Sequence, residues 1–239
     1  MREIGMMRKC IKSLFALIVL CAVINVTACD AGYHHSSSDS DVPHTYKEFV
    51  KALEDAEGGA STDDPVDIAF DGSATAFDLY VALNRVKKYV NLDISDSSVT
   101  GFDSSSSSSP GVYLIVSLSL PYNLDKIGDK AFEYCSRLKE VLVPNAVTSI
   151  GECAFYNCTS LTEVTIPASV EYIGSDAFAY CAGLNTVILQ GDVYIADFAV
   201  FPDGRKFMEA AILANETGSA YMAAHGTYRR NGNGWTRDG

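Results

Sequence analysis

The sequence has few of the residues on which catalytic and metal sites depend. It contains four histidines and one tryptophan, and it lacks the motifs of serine hydrolases, zinc proteases and phosphate-binding loops. Three of the histidines, His34, His35 and His44, lie among serines and aspartates without the fixed ligand spacing of a metal site. We therefore predict no catalytic residue, no metal site and no cofactor, and we expect a protein that is not an enzyme.

Basic residues are also scarce. The chain has 18 Lys and Arg against 30 Asp and Glu, which gives a formal net charge of -12 at pH 7. Such a chain repels phosphate groups, so nucleic acid is not an expected partner. Apolar residues make up 48% of the sequence, which excludes wholesale disorder.

The apolar run near the N-terminus is too short for a comfortable membrane span. Residues 13–24 are uncharged and mostly apolar, whereas a spanning helix needs about 20 apolar residues. Four basic residues precede this run, and this order predicts a signal peptide over residues 1–28. The end of the segment, Val26-Thr27-Ala28-Cys29, resembles the bacterial lipobox. That resemblance implies cleavage before Cys29 and attachment of diacylglycerol to its sulfur, and an ordinary secretory signal is the alternative.

The segment between the signal peptide and the regular repeats has three parts that differ in composition. Residues 29–44 are rich in Ser and Asp and predict a flexible tether. Apolar residues then recur at helical spacing and predict helices over 45–57 and 75–90, with short strands at 65–70 and 92–94. Six consecutive serines at 104–109 predict an exposed loop. We interpret residues 45–111 as a helical N-terminal cap with an irregular first repeat and this polyserine loop.

One 23-residue pattern recurs three times between Ile127 and Tyr194. Each copy carries an Ile-Gly pair, an Ala-Phe pair, a cysteine and a leucine in the same register. The aromatic and cysteine columns are Phe132, Phe155, Phe178, Cys135, Cys158 and Cys181. A fixed period of this length predicts stacked repeats, in which each copy buries its apolar face against the next. We expect the phenylalanines to stack, the cysteines to be buried as small apolar residues, and the glycines to supply a tight turn.

The leucine of each copy opens a strand motif. Leu138-x-x-Val141-x-Val143 has the spacing of leucine-rich repeats, and its alternation predicts a strand with one buried face. The equivalent positions predict about four parallel strands, paired copy to copy, after a degenerate one. The expected fold is an α/β solenoid: a short leucine-rich-repeat stack of parallel strands over residues 112–195, with a helical N-terminal cap and a helix-plus-hairpin C-terminal cap.

The C-terminal cap is predicted over residues 196–239. Residues 216–225 have the composition of a short helix. Residues 226–238 alternate, with a turn at Asn231-Gly232-Asn233-Gly234, and predict a hairpin. We expect the hairpin aromatics to cover the last repeat.

The full pattern, I-G-x-x-A-F-x-x-C-x-x-L-x-x-V-x-[VIL]-P, resembles the BspA-like leucine-rich repeats of bacterial and protozoan surface proteins. Residues 89–98 and 226–237 resemble flanks of spirochaetal members. The resemblance implies a cell-surface or secreted protein, and together with the lipobox it predicts a lipid-anchored protein of the bacterial cell envelope, on the outer membrane and surface-exposed. It also implies a protein- or glycan-binding module of the adhesin type, whose partners are host extracellular-matrix proteins, glycans or other bacterial surfaces. The alternative is a non-adhesive envelope scaffold or surface antigen, including one that faces the periplasm.

Binding residues are expected at the outward positions of the strands. Leu142 and Ile188 are apolar where the alternation predicts solvent, and exposed apolar groups can mark a contact surface. The candidate ligand-binding residues are Glu140, Leu142, Glu163, Thr165, Thr186 and Ile188.

Cys153 replaces Lys130 and Asp176 in its column, which predicts partial exposure. A free thiol is the expected state. A bridge to Cys158 and an intermolecular disulfide are the alternatives.

Overall fold

The computed structural model describes residues 42–103, 113–197, 199–214, 221–232 and 234–238, without the side chains of 208 and 212–214. The predicted signal peptide, Cys29, residues 30–41 of the tether and the polyserine segment lie outside the described residues. Within the described part of the chain, no helix has the length and hydropathy needed to span a membrane. The helices are α1 (Tyr46–Asp55), α2 (Ala76–Val86) and α3 (Gly204–Ala211).

Helices α1 and α2 each begin after a threonine that caps them. The hydroxyls of Thr45 and Thr75 accept the backbone N–H of Glu48 and Asp78. The carboxylates of Glu48 and Asp78 accept the backbone N–H of the two threonines in return. This capping box satisfies N–H groups that a helix start leaves free. The helices predicted over 45–57 and 75–90 are thus confirmed, with ends a few residues shorter.

In chain order the strands are β1 (Val66–Ala69), β2 (Val90–Asp93), β3 (Ile115–Ser119), β4 (Lys126–Ile127), β5 (Glu140–Leu142), β6 (Ser149–Ile150), β7 (Glu163–Ile166), β8 (Tyr172–Ile173), β9 (Thr186–Leu189), β10 (Val193–Ile195), β11 (Ile212–Ala214), β12 (Tyr221–Ala223), β13 (Gly226–Asn231) and β14 (Gly234–Arg237). From β3 to β10, the strands alternate between the two walls of the solenoid.

The front wall consists of the strands that carry the leucine-rich motif. One parallel sheet has the order β1-β2-β3-β5, and β7 and β9 pair in parallel in a second sheet. The predicted parallel stack is confirmed, and it extends further toward the N-terminus than the 23-residue pattern. Strand β1 lies in register with β2, with Val66 opposite Val90. Helix α2 forms the connection between these two strands.

Continuous pairing from copy to copy is the part of the strand prediction that is wrong. In the described residues, β5 and β7 are not hydrogen-bonded as strands, and the front wall consists of two ladders. The break falls between Glu140 and Glu163, which occupy equivalent positions one period apart. Like charges directly opposite each other destabilise a strand pair, so pairing at this point would cost stability.

The back wall is formed by short strands between the front strands. Its order is β4-β6-β8-β10, with parallel pairs such as Ile127 with Ile150 and Ile150 with Ile173. A parallel bridge between Thr75 and Thr100 continues this arrangement into the N-terminal part. The core lies between the two walls.

A column of phenylalanine rings runs through that core. The ring centroids of Phe132 and Phe155 are 5.2 Å apart, and those of Phe155 and Phe178 are 5.0 Å apart. Phe102 extends the column at one end and Phe201 at the other, at 5.8 Å and 5.3 Å from their neighbours. The predicted stack of three rings is confirmed and is longer than the regular repeat.

The cysteine column is buried beside the phenylalanines, as predicted. Cys135, Cys158 and Cys181 have no solvent-exposed surface. The thiols of Cys158 and Cys181 donate hydrogen bonds to the carbonyls of Phe132 and Phe155 in the preceding copy, at 3.3 Å and 3.1 Å. Cys158 and Cys181 therefore each link two successive turns of the solenoid.

Glycine in the Ile-Gly pairs is explained by close backbone packing rather than by an unusual φ angle. A Cβ on Gly151 would lie 2.6 Å from the backbone nitrogen of Asp129, and one on Gly174 would lie 2.7 Å from that of Glu152. Distances this short leave no room for a side chain. The left-handed positions of the turn are occupied instead by Lys130, Cys153 and Asp176 and by Tyr134, Asn157 and Tyr180.

The C-terminal cap corrects one prediction and confirms another. The helix predicted at 216–225 is wrong at 221–223, where β12 pairs antiparallel with β10; residues 216–220 lie outside the described part. Pairing with the edge of the back wall overrides the local helical preference, because an uncovered edge strand presents unpaired backbone groups. The cap helix is α3 instead.

The predicted hairpin is present as β13 and β14, and β13 pairs with the last front strand, β9. Tyr228 and Trp235 lie against Phe207, with ring centroids 5.0 Å and 5.3 Å away. The hairpin aromatics therefore cover the end of the phenylalanine column, as expected.

Candidate binding surfaces

The structure brings the six predicted binding residues onto two neighbouring parts of the front wall. Glu163 lies opposite Thr186, and Thr165 lies opposite Ile188. Glu140 and Leu142 lie opposite Ser117 and Ser119 in the other ladder. Because paired residues project to the same side of a sheet, each group presents a common face. We refer to these positions as the strand face.

The members of the strand face differ in exposure. Glu140 is exposed, whereas Leu142, Glu163, Thr165 and Ile188 are half-buried. Thr186 is only 5% exposed, and its hydroxyl donates to the side-chain oxygen of Asn185 at 2.9 Å. Five of the six candidates are therefore accessible, and Thr186 contributes to the packing at the end of the stack.

Strand pairing adds polar residues to this face that the sequence did not identify. Arg229 and Thr227 of β13 lie opposite Thr186 and Ile188. The guanidinium of Arg229 donates to the carboxylate of Asp238 at 2.9 Å. The sequence did not identify Arg229 because this residue lies in the terminal hairpin, outside the 23-residue repeat. The antiparallel pairing of that hairpin with β9 is not part of the repeat pattern.

A polar ladder crosses the N-terminal strands of the same wall. The amide of Asn91 donates to the carboxylate of Asp67 at 2.6 Å, and the hydroxyl of Ser117 donates to the side-chain oxygen of Asn91 at 2.9 Å. Ser117 and Ser119 are nevertheless buried. Internal hydrogen bonds therefore account for the polar character of these strands.

A second surface lies at the turns that connect each back strand to the next front strand. Tyr134, Tyr156 and Tyr180, one from each copy, form a continuous ladder that we call the tyrosine edge. The ring centroids are 5.6 Å apart for Tyr134 and Tyr156 and 5.1 Å apart for Tyr156 and Tyr180. Tyr134 is 44% exposed and Tyr180 is 65% exposed. The tyrosine edge therefore displays aromatic surface to solvent.

Carboxylates surround Cys153 beside the tyrosine edge. Burial raises the pKa of the Cys153 thiol, and the carboxylates of Asp176, Glu152 and Glu133 raise it further, against a smaller opposing effect of Lys130. Burial and the neighbouring charges of Asp197 and Glu152 likewise raise the pKa of Asp176. Asp176 is therefore close enough to Asp197 and Glu152 for their negative charges to oppose its ionisation.

Lys130 offsets the negative charges at this edge only in part. Within the described ranges, Glu133, Glu152, Asp176 and Asp197 form no ion pair. Asp197 accepts the backbone N–H of Ala199 at 2.8 Å. The edge is consequently both aromatic and negatively charged.

The cysteines of the described region are all free thiols. Cys153 is half-buried, and Cys158 is buried as a free thiol that donates to the Phe132 carbonyl. The bridge between Cys153 and Cys158 that was the intramolecular alternative is thus not formed. The expected free and partly exposed Cys153 is what the structure contains.

The surface of the described part of the chain has shallow, open depressions. Two open depressions there have volumes of about 280 and 230 Å³, below the roughly 300–1,000 Å³ of small-molecule pockets. No group of three or more His, Cys, Asp or Glu among the described residues is arranged to hold a metal ion.

Parallel strands at a near-constant period, a stacked phenylalanine column and an outward strand face define a leucine-rich-repeat solenoid. Residues 111–212 match the family model of the BspA type leucine rich repeat region, in six copies. The repeat region of this chain therefore belongs to the BspA-type leucine-rich repeats, as its sequence pattern predicted.

Among solved structures, a leucine rich cell surface protein from Faecalibacterium prausnitzii A2-165 is similar at 26% sequence identity and a TM-score of 0.39. The similarity covers 61% of this chain and 31% of that protein, so the chain spans less than a third of its length. A comparison with curated proteins gives no match.

Proposed function

We propose that this protein is a lipid-anchored protein of the bacterial cell envelope, displayed at the surface, that binds proteins or glycans in the manner of an adhesin. The strand face is the observation that carries the binding proposal. Half-buried Leu142 and Ile188 stand among polar side chains on rigid strands. Rigid backbone lowers the entropy lost on binding, and partly exposed apolar groups supply contact area. In this proposal the protein is not an enzyme.

The proposed binding surface draws on both ladders of the front wall. Leu142 belongs to the first ladder, and Thr165 and Ile188 lie opposite each other in the second. Glu140 and Glu163 flank the break between the ladders and would provide charged contacts. A partner that spans the break would bury both ladders together.

The binding test uses the purified protein on arrays of extracellular-matrix proteins and glycans. Leu142→Lys, Thr165→Lys and Ile188→Lys are combined in one variant, which should lose binding because three charges are placed on the contact area. The matched control places three lysines on the back wall, through Ser149→Lys, Tyr172→Lys and Tyr194→Lys. Circular dichroism and thermal unfolding verify that both variants fold. Equal binding by the folded strand-face variant and the wild type contradicts the proposal.

The proposed anchor is the diacylglycerol on Cys29. Support comes from the lipobox-like sequence Val26-Thr27-Ala28-Cys29 after a basic and then apolar segment. A lipid at this position would attach the chain to a membrane without spanning it. Globomycin should cause the full-length precursor to accumulate, and Cys29→Ser should abolish labelling by an alkynyl fatty acid. Normal processing in the presence of globomycin contradicts lipidation.

The second candidate is a non-adhesive scaffold or surface antigen, including one that faces the periplasm. Extensive internal bonding on the front wall favours it, because Ser117, Ser119 and Thr186 are buried and only five of the predicted residues remain accessible. Protease treatment of intact cells separates the two orientations. Degradation indicates outward display, and protection indicates a periplasmic orientation.

A further inference from the structure

Packing does not account for the aromatic surface at the tyrosine edge. The phenylalanine column is fully buried, whereas Tyr134 and Tyr180 expose 44% and 65% of their surface. Their backbones adopt the left-handed conformation, with φ values of 63° and 59°, which is uncommon for a bulky residue. Asn157 occupies the same position in the middle copy, and the ladder is completed there by Tyr156 from the preceding position. Two exposed rings are thus held at strained positions on either side of a central tyrosine.

The charge around these rings has one dominant sign. Glu133, Glu152 and Asp176 act on the same thiol, that of Cys153, and Asp176 is also close enough to influence Tyr156. Lys130 is the basic residue that acts on this thiol. A cation docked here would relieve the repulsion between carboxylates, and an anion would increase it.

The chain itself shows that guanidinium groups pack on its aromatic rings. Arg230 lies over Trp235 and Arg237 lies over Tyr228, each with its guanidinium carbon 6.0 Å from the ring centroid. A cation over a tyrosine face is attracted by the negative face of the ring. The tyrosine edge presents similar rings together with carboxylates but without an arginine of its own among the described contacts.

We propose that the tyrosine edge and the adjoining carboxylates of Glu133, Glu152 and Asp176 form a docking surface for an arginine- or lysine-rich segment of a partner protein. The cationic groups lie over or between the exposed rings, and the carboxylates bind their N–H groups. A second copy of this chain is disfavoured as the occupant because both surfaces would carry the same negative charge. The surface lies at the repeat turns, so the proposal goes beyond the strand face and does not depend on it.

The test measures binding of a fluorescent peptide of alternating arginine and glycine by anisotropy, at low and at near-physiological salt. Tyr134→Ala combined with Tyr180→Ala should weaken binding by about tenfold, since the loss of each cation–ring contact should weaken it roughly threefold. Glu133→Gln, Glu152→Gln and Asp176→Asn in one variant should weaken binding and reduce its salt dependence. The wild-type protein should bind a glycine-serine peptide of equal length more weakly than the arginine peptide.

Matched controls come from the back wall and from distant acidic residues. Tyr172 and Tyr194 are 43% and 47% exposed, so Tyr172→Ala with Tyr194→Ala removes a similar aromatic area elsewhere. Glu57→Gln, Asp125→Asn and Glu171→Gln remove the same number of carboxylates elsewhere. Both controls should retain wild-type affinity, and so should the triple lysine variant of the strand face. Because this last variant alters only the strand face, it distinguishes failure of the docking surface from failure of the adhesin proposal.

Three outcomes overturn the docking surface. The first is absence of peptide binding at low salt. The second is equal affinity of the wild type and the Tyr134 and Tyr180 variant, which would reduce the interaction to attraction by net charge. The third is displacement of the peptide by a neutral oligosaccharide, which would identify the edge as a sugar site.

Discussion

The ring of Phe155 lies 5.0 Å from the ring of Phe178, and the two planes differ by only 6°. The same side chain lies 5.2 Å from Phe132 on its other side, at an interplanar angle of 20°. Phe155 is fully buried, so it contacts the copies before and after its own. The core is consequently a column in which a central residue supports two turns at once.

Replacement of Phe155 by Ala should destabilise the protein by about 3–5 kcal/mol, the range for loss of a large buried aromatic side chain. The cavity would remove ring contacts to both neighbours. Urea unfolding followed by circular dichroism measures the difference. Tyr172→Ala is the control for an exposed aromatic and should change the free energy of unfolding by less than about 0.5 kcal/mol. Comparable losses for the two variants would contradict the central role of the column.

At the turn positions we expect the opposite effect, namely that a replacement stabilises the folded protein. Lys130 has a φ of 60°, and a left-handed backbone costs a non-glycine residue roughly 1–2 kcal/mol. Glycine avoids this strain but loses about 0.5–1 kcal/mol of backbone entropy. Lys130→Gly should therefore raise the free energy of unfolding, by up to about 1.5 kcal/mol. Thermal unfolding checks the sign.

Lys126→Gly is the matched control for Lys130→Gly. Lys126 is also exposed, but it lies in the extended strand β4. Glycine should lower stability there by about 0.5–1 kcal/mol, because no strain is relieved. A loss of stability in both variants would show that the left-handed turn is not a source of strain.

The features predicted well from the sequence are those that recur at the same column of each copy. Phe132, Phe155 and Phe178 share a column, as do the three buried cysteines, and side chains one period apart meet in a stack. The tyrosine edge escaped this reasoning because Tyr156 lies one position before the column of Tyr134 and Tyr180. A fixed sequence period identifies side chains that occupy the same position in every repeat. It does not identify a ladder whose members come from two adjacent positions of the repeat.

Contacts between distant elements explain the remaining differences. Strand β1 was not placed in the stack because α2 fills the connection to β2 and replaces the motif of the later copies. Strand β12 forms because β10 offers an open edge. A short stretch of sequence reveals neither the strand with which β1 or β12 pairs nor the open edge of that strand. The six residues of the strand face followed from alternation alone, and Thr186 departs from it because it lies at the capped end of the stack.

Stability should depend on pH through Asp176. Its pKa is raised in the folded protein, so the folded state keeps this proton to a higher pH than the unfolded state. Its contribution to stability therefore falls as the pH rises from the ordinary pKa of aspartate through the raised value. Asp176→Asn removes this penalty, and asparagine tolerates the left-handed φ of 57°. The variant should be more stable at neutral pH by less than about 1 kcal/mol, because solvent screens the group.

Thermal unfolding of wild type and Asp176→Asn across the acid range tests the assignment. The difference should shrink as the pH falls and vanish below the ordinary pKa of aspartate, where both side chains are neutral. If the difference in stability between the two proteins does not depend on pH, then packing, and not the charge of Asp197 and Glu152, causes the stabilisation.

Thiol labelling should distinguish Cys153 from the buried cysteines. Cys135, Cys158 and Cys181 have no exposed surface, whereas Cys153 is partly exposed. Iodoacetamide should therefore modify Cys153 first, and the other three should react only in denaturant. The raised pKa of Cys153 keeps the thiolate scarce at neutral pH, so its labelling should accelerate as the pH increases.

Asp176→Asn removes the largest of the carboxylate effects on that thiol and should speed its labelling at neutral pH. Peptide mapping by mass spectrometry identifies each modified cysteine. Native labelling of Cys158 at the rate of Cys153, or no effect of Asp176→Asn on that rate, would contradict the arrangement of the turn.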